Sequence, residues 1–376
     1  MNGADQQEIE ALREVAARFL TVEASSERVR AVVEAGGEPD PRLVREAAEL
    51  GWFGLEVPEP YGGAGAGFAA VMTLLEETGA RAASLPLVSS AVLCVGALLL
   101  TDSPGPRERW LPGLAAGTLR GTALLPGAFG AGDGDAITAR EVGGMVLDGA
   151  CGHVLDARCG DLFVVAARTA AGERIVAVVA RTDAGVSVEP LEMVDGTRCV
   201  DAVRLTRVRV DETNVLARGA AAERLVAALV NRAATAVAAD SLGIARRVLD
   251  MTVDYAGRRV QFGRPIGSFQ AVKHQAADML VDVHTARELV RDAACRVDRG
   301  PASPATSEAA SMAKSHVCEV AARSAGTAVQ LHGGIGYTWE HDLHLFLKRA
   351  KLNEHLCGGA KWHRARVSAN LFSAEP

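Results

Sequence analysis

The sequence reads Gln330-Leu331-His332-Gly333-Gly334-Ile335-Gly336-Tyr337-Thr338-Trp339-Glu340 at the point that decides its fold. On both sides of this bend, in 309–321 and in 343–350, apolar residues recur three or four positions apart, which predicts two helices. Three glycines within 333–336 leave the backbone bare, so it can adopt positive φ and let another molecule approach closely. Free N–H groups at the start of the second helix favour an anion such as phosphate. Spacing alone more often marks a plain turn between packed helices.

The composition narrows the class of protein. The chain has 376 residues, which predicts two or three domains with ample material for a large core. Hydrophobic residues make up 49% of it but aromatic residues only 4%, so we expect a core of Ala, Val and Leu in close-packed helices. The net charge of −6 argues against a general nucleic-acid-binding protein.

The cysteines and the apolar runs indicate the compartment. There are seven cysteines, an odd number, and no Cys-x-x-Cys pair. This argues against a disulfide framework and a zinc ribbon, so we predict no metal site and a reducing compartment. The longest apolar run, 91–100, is far shorter than the ~20 residues of a membrane span, and residues 1–20 do not resemble a signal peptide. We therefore expect a soluble, cytoplasmic protein that does not enter a membrane.

The hydrophobic pattern divides the chain into three predicted domains. Residues 1–118, with an amphipathic helix predicted over 5–35 and an apolar helix over 87–100, are predicted to form an N-terminal α-helical domain. Residues 119–212 hold compact β-branched runs between turns and are predicted to form a middle β domain, a small antiparallel barrel or sandwich. Residues 213–376 are predicted to be helical throughout and to form a C-terminal four-helix bundle. The predicted fold class is mainly α with a central β domain.

Two motifs in the predicted bundle resemble the signatures of one enzyme family. The run Arg259-Val260-Gln261-Phe262-Gly263-Arg264-Pro265-Ile266, with Phe269-Gln270 after it, is similar to the signature after the first bundle helix of the acyl-CoA dehydrogenases. The bend at 330–337, followed by Lys348-Arg349, resembles the second signature of that family. Val57-Pro58-Glu59-x-Tyr61-Gly62-Gly63 and Glu76-Glu77-x-Gly79 also match it. The resemblance covers nearly the whole chain and implies the family order of α domain, β domain and α bundle.

The resemblance implies a cofactor and its contacts. In this family FAD lies between the β domain and the bundle, and its adenosine pyrophosphate end reaches a neighbouring subunit. The residues implied to contact that end are Arg259, Phe262, Gln270, Gln330, Gly333 and Gly334. An arginine suits the diphosphate charge, an aromatic ring suits the adenine, and bare glycine backbone suits close approach. For Phe262 and Gln270, packing within the turn is the alternative interpretation. The resemblance further implies an acyl-CoA substrate, electron-transfer flavoprotein as the acceptor, and a hetero- or homotetramer of homologous subunits.

The catalytic base of the family reaction is missing from its usual places. A carboxylate removes the α-proton of the acyl-CoA while the flavin accepts the β-hydride. The usual glutamate position after the second signature falls at Gly358, and the alternative position on the first bundle helix falls at Ala233. Glu354, one helical turn from Gly358, is a weak candidate, with an exposed helical Glu as the plain interpretation. Asp240, two turns from Ala233, is a weaker one, because a cap or core-edge role is commoner.

Three further features depart from the family pattern or leave alternatives open. The loop after the first strand reads Leu124-Leu125-Pro126-Gly127-Ala128-Phe129-Gly130-Ala131-Gly132-Asp133-Gly134, where the family has Thr-Glu-Pro-Gly-x-Gly-Ser-Asp. His153-Val154-Leu155 replaces the Trp-Ile-Thr or Trp-Ile-Ser segment that walls the flavin ring. These changes remove hydrogen-bond groups from the chain's own isoalloxazine pocket. Lys348, Arg349 and Lys351 are expected on a solvated helix face, with contact to coenzyme A phosphates as the alternative.

Together these features favour a dependent subunit. The first hypothesis is a base-lacking subunit of an FAD-dependent acyl-CoA dehydrogenase heterotetramer, which completes the FAD site of its partner. The segment His341-Asp342-Leu343-His344-Leu345-Phe346-Leu347-Lys348-Arg349-Ala350-Lys351 looks similar to the actinobacterial branch that acts on steroid side chains in this way. The alternatives are a self-sufficient homotetramer with a relocated base, a flavin monooxygenase on the same fold, and a purely structural partner.

Overall fold

The computed structural model describes residues 3–129, 136–141 and 143–372. The N-terminal part is helical: α1 (Gly3–Glu23), α2 (Ser26–Glu34), α3 (Pro41–Glu49), α4 (Phe68–Gly79), a π-helical segment (Leu87–Cys94) that continues into α5 (Val95–Leu100), and α6 (Pro104–Ala115). The single helix predicted over 5–35 was wrong, because the chain breaks between α1 and α2. Ser25 there has extended dihedrals (φ −62°, ψ 158°) and precedes a new helix, a place where serine is favoured.

The middle part is one eight-stranded sheet. Its strands are β1 (Gly121–Leu124), β2 (Ala136–Glu141), β3 (Met145–Leu155), β4 (Leu162–Thr169), β5 (Arg174–Ala180), β6 (Val186–Pro190), β7 (Val200–Val210) and β8 (Val215–Arg218). The strand order is β6-β7-β3-β2-β4-β5-β8, and β1 pairs with β4. The sheet is mixed, since β4 pairs in parallel with β1 and β2 and antiparallel with β5, which differs from the predicted antiparallel barrel or sandwich. The prediction that everything after about Glu212 is helical was wrong at β8, which adds to β5.

Strands β4 and β5 lie between two cores. In β4, Phe163 and Val165 pack within the β domain, whereas Val164 and Ala166 pack against the helices. Successive strand side chains point to opposite faces, so a strand buried on both faces has a continuous apolar run in its sequence. This explains the compact β-branched pattern of the middle region, and it places the sheet directly against the bundle.

The C-terminal part contains α7 (Gly219–Arg258), a hairpin of β9 (Val260–Gln261) and β10 (Arg264–Pro265), α8 (Gln270–Arg299), α9 (Pro304–His332), α10 (Leu343–His355) and α11 (Ala360–Phe372). The predicted last helix of the bundle is two helices, because the chain turns between α10 and α11. Cys357 and Gly358 have positive φ there (56° and 97°), which no helix can contain. By length and composition α7 could cross a membrane, but its most apolar part is buried inside the fold.

One buried ion-pair network joins the three parts of the molecule. Asp240 of α7 accepts hydrogen bonds from Arg349 of α10 (Nη2 to Oδ1, 2.5 Å; Nε to Oδ2, 3.2 Å) and from Asn353 (2.7 Å). Arg198, just before β7, lies 3.0 Å from the same carboxylate. Arg349 Nη1 also donates to the Ala83 carbonyl in the N-terminal part (2.9 Å). The expectation of a solvated Arg349 was wrong, because this side chain is buried at the junction of all three parts.

The network also fixes the protonation of Asp240. Burial alone would raise the pKa of this carboxyl, but the charges of Arg198 and Arg349 outweigh burial and lower the pKa to about 2. A carboxylate that is fully buried and held by two arginines has no free lone pair facing a substrate. Asp240 therefore has a structural role in the core.

Candidate active-site cleft and dinucleotide surface

A cleft of about 320 Å³ lies between the β domain and the bundle. Three stretches of chain form most of its wall: 125–127 after β1, 151–155 at the end of β3, and 355–358 after α10. These are the segments in which the sequence departs from the acyl-CoA dehydrogenase pattern. The fold thus brings the altered loop, the altered wall segment and the Gly358 position together around one space. The predicted loop residues Gly130–Gly134 lie outside the described part of the chain.

The wall of the cleft is almost entirely apolar. Among the described residues, its titratable side chains are Cys151, His153, His355 and Cys357, and none of its side chains is a carboxylate, a hydroxyl or an amide. Burial raises the pKa of the Cys357 thiol to about 12, so this group stays protonated and unreactive at neutral pH. The polar edge of an isoalloxazine needs several hydrogen-bond partners, and the described side chains offer only imidazole nitrogens and thiols. The described side chains of this wall therefore offer few hydrogen-bond partners to a flavin ring.

The turn that carries Gly358 is held by two buried side chains. Lys314 of α9 donates through Nζ to the Gly358 carbonyl (2.9 Å) and to the Glu354 carbonyl (3.4 Å). His363 of α11 donates through Nε2 to the Cys357 carbonyl (2.9 Å). A Cβ on Gly358 would lie 2.7 Å from the Trp362 ring, and the residue has φ of 97°. The backbone here has a conformation and a packing that admit only glycine.

The residues predicted to contact a dinucleotide lie on one exposed surface. Phe262 lies at the tip of the β9–β10 hairpin, where Phe262 and Gly263 both have positive φ, as a two-residue hairpin turn requires. The residue is 92% exposed, although its ring lies edge to face with that of Phe269 in the same turn (centroids 6.2 Å apart). Arg259 and Gln270 on either side are also exposed. Packing within the turn therefore leaves most of Phe262 in contact with solvent.

Gln330, Gly333 and Gly334 are also exposed, and the structure joins them to the hairpin. The hydroxyl of Tyr255, near the end of α7, donates to the His332 carbonyl (3.2 Å), and the two rings stack with centroids 4.3 Å apart. A Cβ on Gly333 or Gly334 would meet no atom of this chain within 4 Å. The two signatures are therefore joined in the fold, and the predicted contact residues are called the dinucleotide surface: Arg259, Phe262, Gln270, Gln330, Gly333 and Gly334. The sequence analysis did not single out Tyr255. Its position shortly before Arg259 was the signal that could have identified it.

Comparison with known proteins identifies the family. The models for the N-terminal and C-terminal domains of acyl-CoA dehydrogenases match residues 6–118 and 223–372. Acyl-CoA dehydrogenase IpdE2 of Mycolicibacterium smegmatis is 33% identical over 367 residues, which are 97% of this chain and 99% of that protein. The chain belongs to the acyl-CoA dehydrogenase family. Its relatives in that family are oxidoreductases that act on acyl-CoA.

Two solved structures share the whole architecture. A variant of the steroid ACAD Tcur3481-Tcur3483 has a TM-score of 0.88 and 30% identity, and the match covers 98% of this chain and 99% of that one. The ChsE4-ChsE5 complex from Mycobacterium tuberculosis has a TM-score of 0.87 and 29% identity, and the match covers 100% and 99% of the two chains. The predicted fold class, with its helical parts on both sides of a central sheet, is confirmed.

The positions that usually supply the acyl-CoA dehydrogenase base hold none in this chain. Gly358 lines the cleft but has no side chain. Ala233 is fully buried in the core of α7, and its neighbour Arg232 is buried and bound by Glu56 (Nη1 to Oε1, 2.8 Å). Glu354 does not line the cleft; its carboxylate accepts from Lys351 Nζ (2.8 Å). Within the described residues, the cleft has no carboxylate to remove an α-proton.

Adding the family glutamate back at position 358 should harm the protein and not activate it. Gly358→Glu places a Cβ against Trp362 and forces a side-chain residue into left-handed backbone, which together cost about 2–4 kcal/mol. We expect a clearly lower midpoint in urea unfolding and no acyl-CoA oxidation. Gly359→Glu is the matched control, since a Cβ there meets nothing within 4 Å and the residue has no positive φ. Equal stability of the two variants would contradict this account of the turn.

A buried carboxyl lies directly behind the cleft wall. Asp156 follows Leu155 and accepts a hydrogen bond from the Ser89 hydroxyl (2.6 Å). Burial raises the pKa of Asp156 to about 6, although the Ser89 hydrogen bond and the charge of Arg198 act in the opposite direction. Asp156 does not line the cleft, so its place is in the support of the wall.

The raised pKa of Asp156 predicts a pH-dependent stability. The folded protein retains this proton up to about pH 6, whereas the unfolded chain loses it near pH 4, so the contribution of Asp156 to stability falls as pH rises between these values. Asp156→Asn keeps an oxygen for Ser89 and removes the charge. Urea unfolding at pH 7.5 should show the variant more stable, by on the order of 2 kcal/mol. This gain in stability should vanish below about pH 4. An equal gain at pH 7.5 and below pH 4 would contradict the raised pKa of Asp156. The same gain in Asp278→Asn, at an exposed position, would also contradict it.

Proposed function

We propose that this chain is the base-lacking subunit of a heteromeric, FAD-dependent acyl-CoA dehydrogenase, and that it completes the FAD site of a homologous partner subunit. One observation carries the proposal: the six residues implied to contact the dinucleotide are exposed, while the described residues of the cleft in the same chain include no carboxylate and few hydrogen-bond groups for a flavin ring. A self-sufficient enzyme needs both the dinucleotide surface and a complete flavin cleft in its own chain. A subunit that only completes the FAD site of a partner needs the dinucleotide surface alone.

Each residue of the dinucleotide surface has a defined task in this proposal. Arg259 would pair with the diphosphate, and Phe262 would stack on the adenine side. Gly333 and Gly334 would let the nucleotide approach the backbone, and Gln330 and Gln270 would donate to its polar atoms. FAD, when bound, supplies the acceptor for the β-hydride of the acyl-CoA. The exposed Phe262 ring would be covered in the assembly, which accounts for an aromatic side chain left in water.

We assign the substrate class and the partners from the same family membership. The substrate is an acyl-CoA thioester, and the electron acceptor is electron-transfer flavoprotein. Two structural relatives carry the words steroid ACAD and ChsE4-ChsE5 complex in their names, which supports a steroid side-chain thioester and a hetero-oligomer here. The protein is proposed to be soluble and cytoplasmic, since the most apolar part of the long helix α7 is buried inside the fold.

Purification of the chain alone tests this proposal. We expect little bound FAD and no oxidation of acyl-CoA with a ferricenium acceptor. Adding the homologous subunit should restore both, because the two halves of the FAD site then meet. Full flavin loading with turnover of the isolated chain would overturn the proposal in favour of a self-sufficient homotetramer. A reduced flavin that reacts rapidly with oxygen through a C4a adduct would favour a monooxygenase instead.

A further inference from the structure

A row of arginines crosses the solvent face of the sheet, away from the cleft. Val146 of β3 pairs with Arg140 of β2 on one side and with Arg209 of β7 on the other. Directly paired residues of neighbouring strands point to the same face, so both arginines lie on one side of the sheet with a short valine between them. Two guanidinium groups can therefore converge over Val146.

A β-bulge adds a third arginine to this row. Leu147 pairs with Val208 and Gly149 with Leu205, so Thr206 and Arg207 together face the single residue Asp148. Arg207 takes φ of 51°, a left-handed conformation that costs a non-glycine residue about 1 kcal/mol or more. Bulges re-aim side chains next to binding sites. Here the bulge turns Arg207 toward Arg140 and Arg209, since all three line one concavity.

This concavity has a strong positive character. It has a volume of about 480 Å³ and is lined by Arg140, Val146, Asp148, Ala184, Gly185, Thr206, Arg207 and Arg209. Its one acidic residue, Asp148, lies 3.5 Å from Arg140. In the described part of the chain, no hydrogen bond or ion pair satisfies the guanidinium of Arg207 or Arg209. Two arginines that no described residue pairs with give this part of a protein of net charge −6 a local excess of positive charge, which an anion would neutralise.

We propose that this basic concavity, defined by Arg140, Arg207 and Arg209, binds a ligand with two or more phosphate charges. Guanidinium groups present paired N–H donors that match phosphate oxygens, and three of them around one hollow suit a diphosphate better than a single charge. The site is separate from the cleft, because Val146 and His153 lie seven residues apart on β3, or roughly 20 Å. It is also separate from the dinucleotide surface, which lies on the bundle.

Calorimetric titration of the full-length protein with sodium pyrophosphate tests the site. We expect binding that weakens as the salt concentration rises from about 50 to about 200 mM, because salt screens the attraction between the guanidinium groups and the phosphates. Arg209→Gln should weaken pyrophosphate binding at least tenfold. Arg207→Gly should do the same and also raise the melting temperature, because glycine fits φ of 51° without strain. If Arg207→Gly loses affinity for pyrophosphate but gains stability, Arg207 serves in binding and not in stabilising the fold.

One control variant decides the location. Arg204 is an exposed arginine on β7 that does not line the concavity, so Arg204→Gln should leave pyrophosphate binding within about twofold. Pyrophosphate binding that survives Arg209→Gln and Arg207→Gly, or that is lost equally in Arg204→Gln, would overturn the proposal.

The same variants show the source of the phosphate. If the natural ligand is a coenzyme, coenzyme A should displace pyrophosphate, and the affinity of the protein for coenzyme A should fall in Arg209→Gln. If it is free diphosphate, coenzyme A should not displace it while the dependence on Arg209 remains. Either result supports a phosphate site here, and the failure of both probes to bind contradicts it. None of these outcomes depends on the proposed role in dehydrogenation, because each is read as binding in the absence of turnover.

Discussion

Replacing Asp240 by alanine should lower the free energy of unfolding by about 3–5 kcal/mol. Asp240 is fully buried and neutralises Arg198 and Arg349, which are themselves buried. The substitution leaves two positive charges in the core without a partner, and a buried unpaired charge costs several kcal/mol. Because this network connects the N-terminal part, the sheet and the bundle, we expect one cooperative transition at lower urea concentration.

The control for this variant is a surface ion pair. Asp282→Ala removes a carboxylate that pairs with the exposed Arg323 (2.7 Å), and this should cost no more than about 1 kcal/mol. The pH dependence gives a second check. The pKa of Asp240 in the folded protein is about 2, below its ordinary value of 3.8, so its stabilisation is complete above about pH 4 and is lost as the pH falls toward 2. Similar losses in the two variants at pH 7 would contradict the central place of Asp240.

Replacing Gly334 by valine should reduce FAD retention in the assembled enzyme at least tenfold while leaving the stability of this chain unchanged. Gly334 has no positive φ, and a Cβ there would meet no atom of the chain within 4 Å, so the fold itself tolerates a side chain. A dinucleotide that lies against the bare backbone of 333–334 would be displaced by the valine methyl groups. The effect would then report on the ligand rather than on folding.

A matched glycine sharpens this experiment. Gly105, at the start of α6, is also exposed and also has open space around its Cβ position, but it lies outside the dinucleotide surface. Gly105→Val should leave flavin content unchanged. Flavin per complex is measured by absorbance after gel filtration, and thermal unfolding checks the fold of each variant. If the Gly334→Val and Gly105→Val variants contain equal amounts of flavin, Gly334 does not contact the dinucleotide.

The sequence was sufficient for the architecture, and the residues that it predicts to contact a dinucleotide are exposed in the structure. The periodicity of the hydrophobic residues distinguished helices from strands, and the two signatures identified segments that lie together in the fold. The contact between them could not be predicted, because the hydrogen bond from Tyr255 to His332 depends on how α7 and α9 pack. Whether these exposed residues bind a partner's FAD stays a prediction.

Arg349 shows where sequence reasoning fails. It lies between two lysines in a basic cluster, which is the usual pattern of a solvated helix face. Its burial depends on Asp240, more than a hundred positions away in the sequence, and pattern alone does not reveal such a partner. The turn at Cys357–Gly358 was missed although the dipeptide Gly358-Gly359 is a turn signal in the sequence. In the fold it is held by tertiary hydrogen bonds from Lys314 and His363.

Flavin stoichiometry of the purified complex tests the central claim most directly. The chain and its homologous partner are expressed together, the complex is isolated, and released FAD is measured against the amount of each subunit. If this chain only completes a partner's site, the complex should hold about one FAD for every two subunits, and all of it should be reduced by acyl-CoA. One FAD bound per subunit, with this chain's own cleft occupied, would contradict the account.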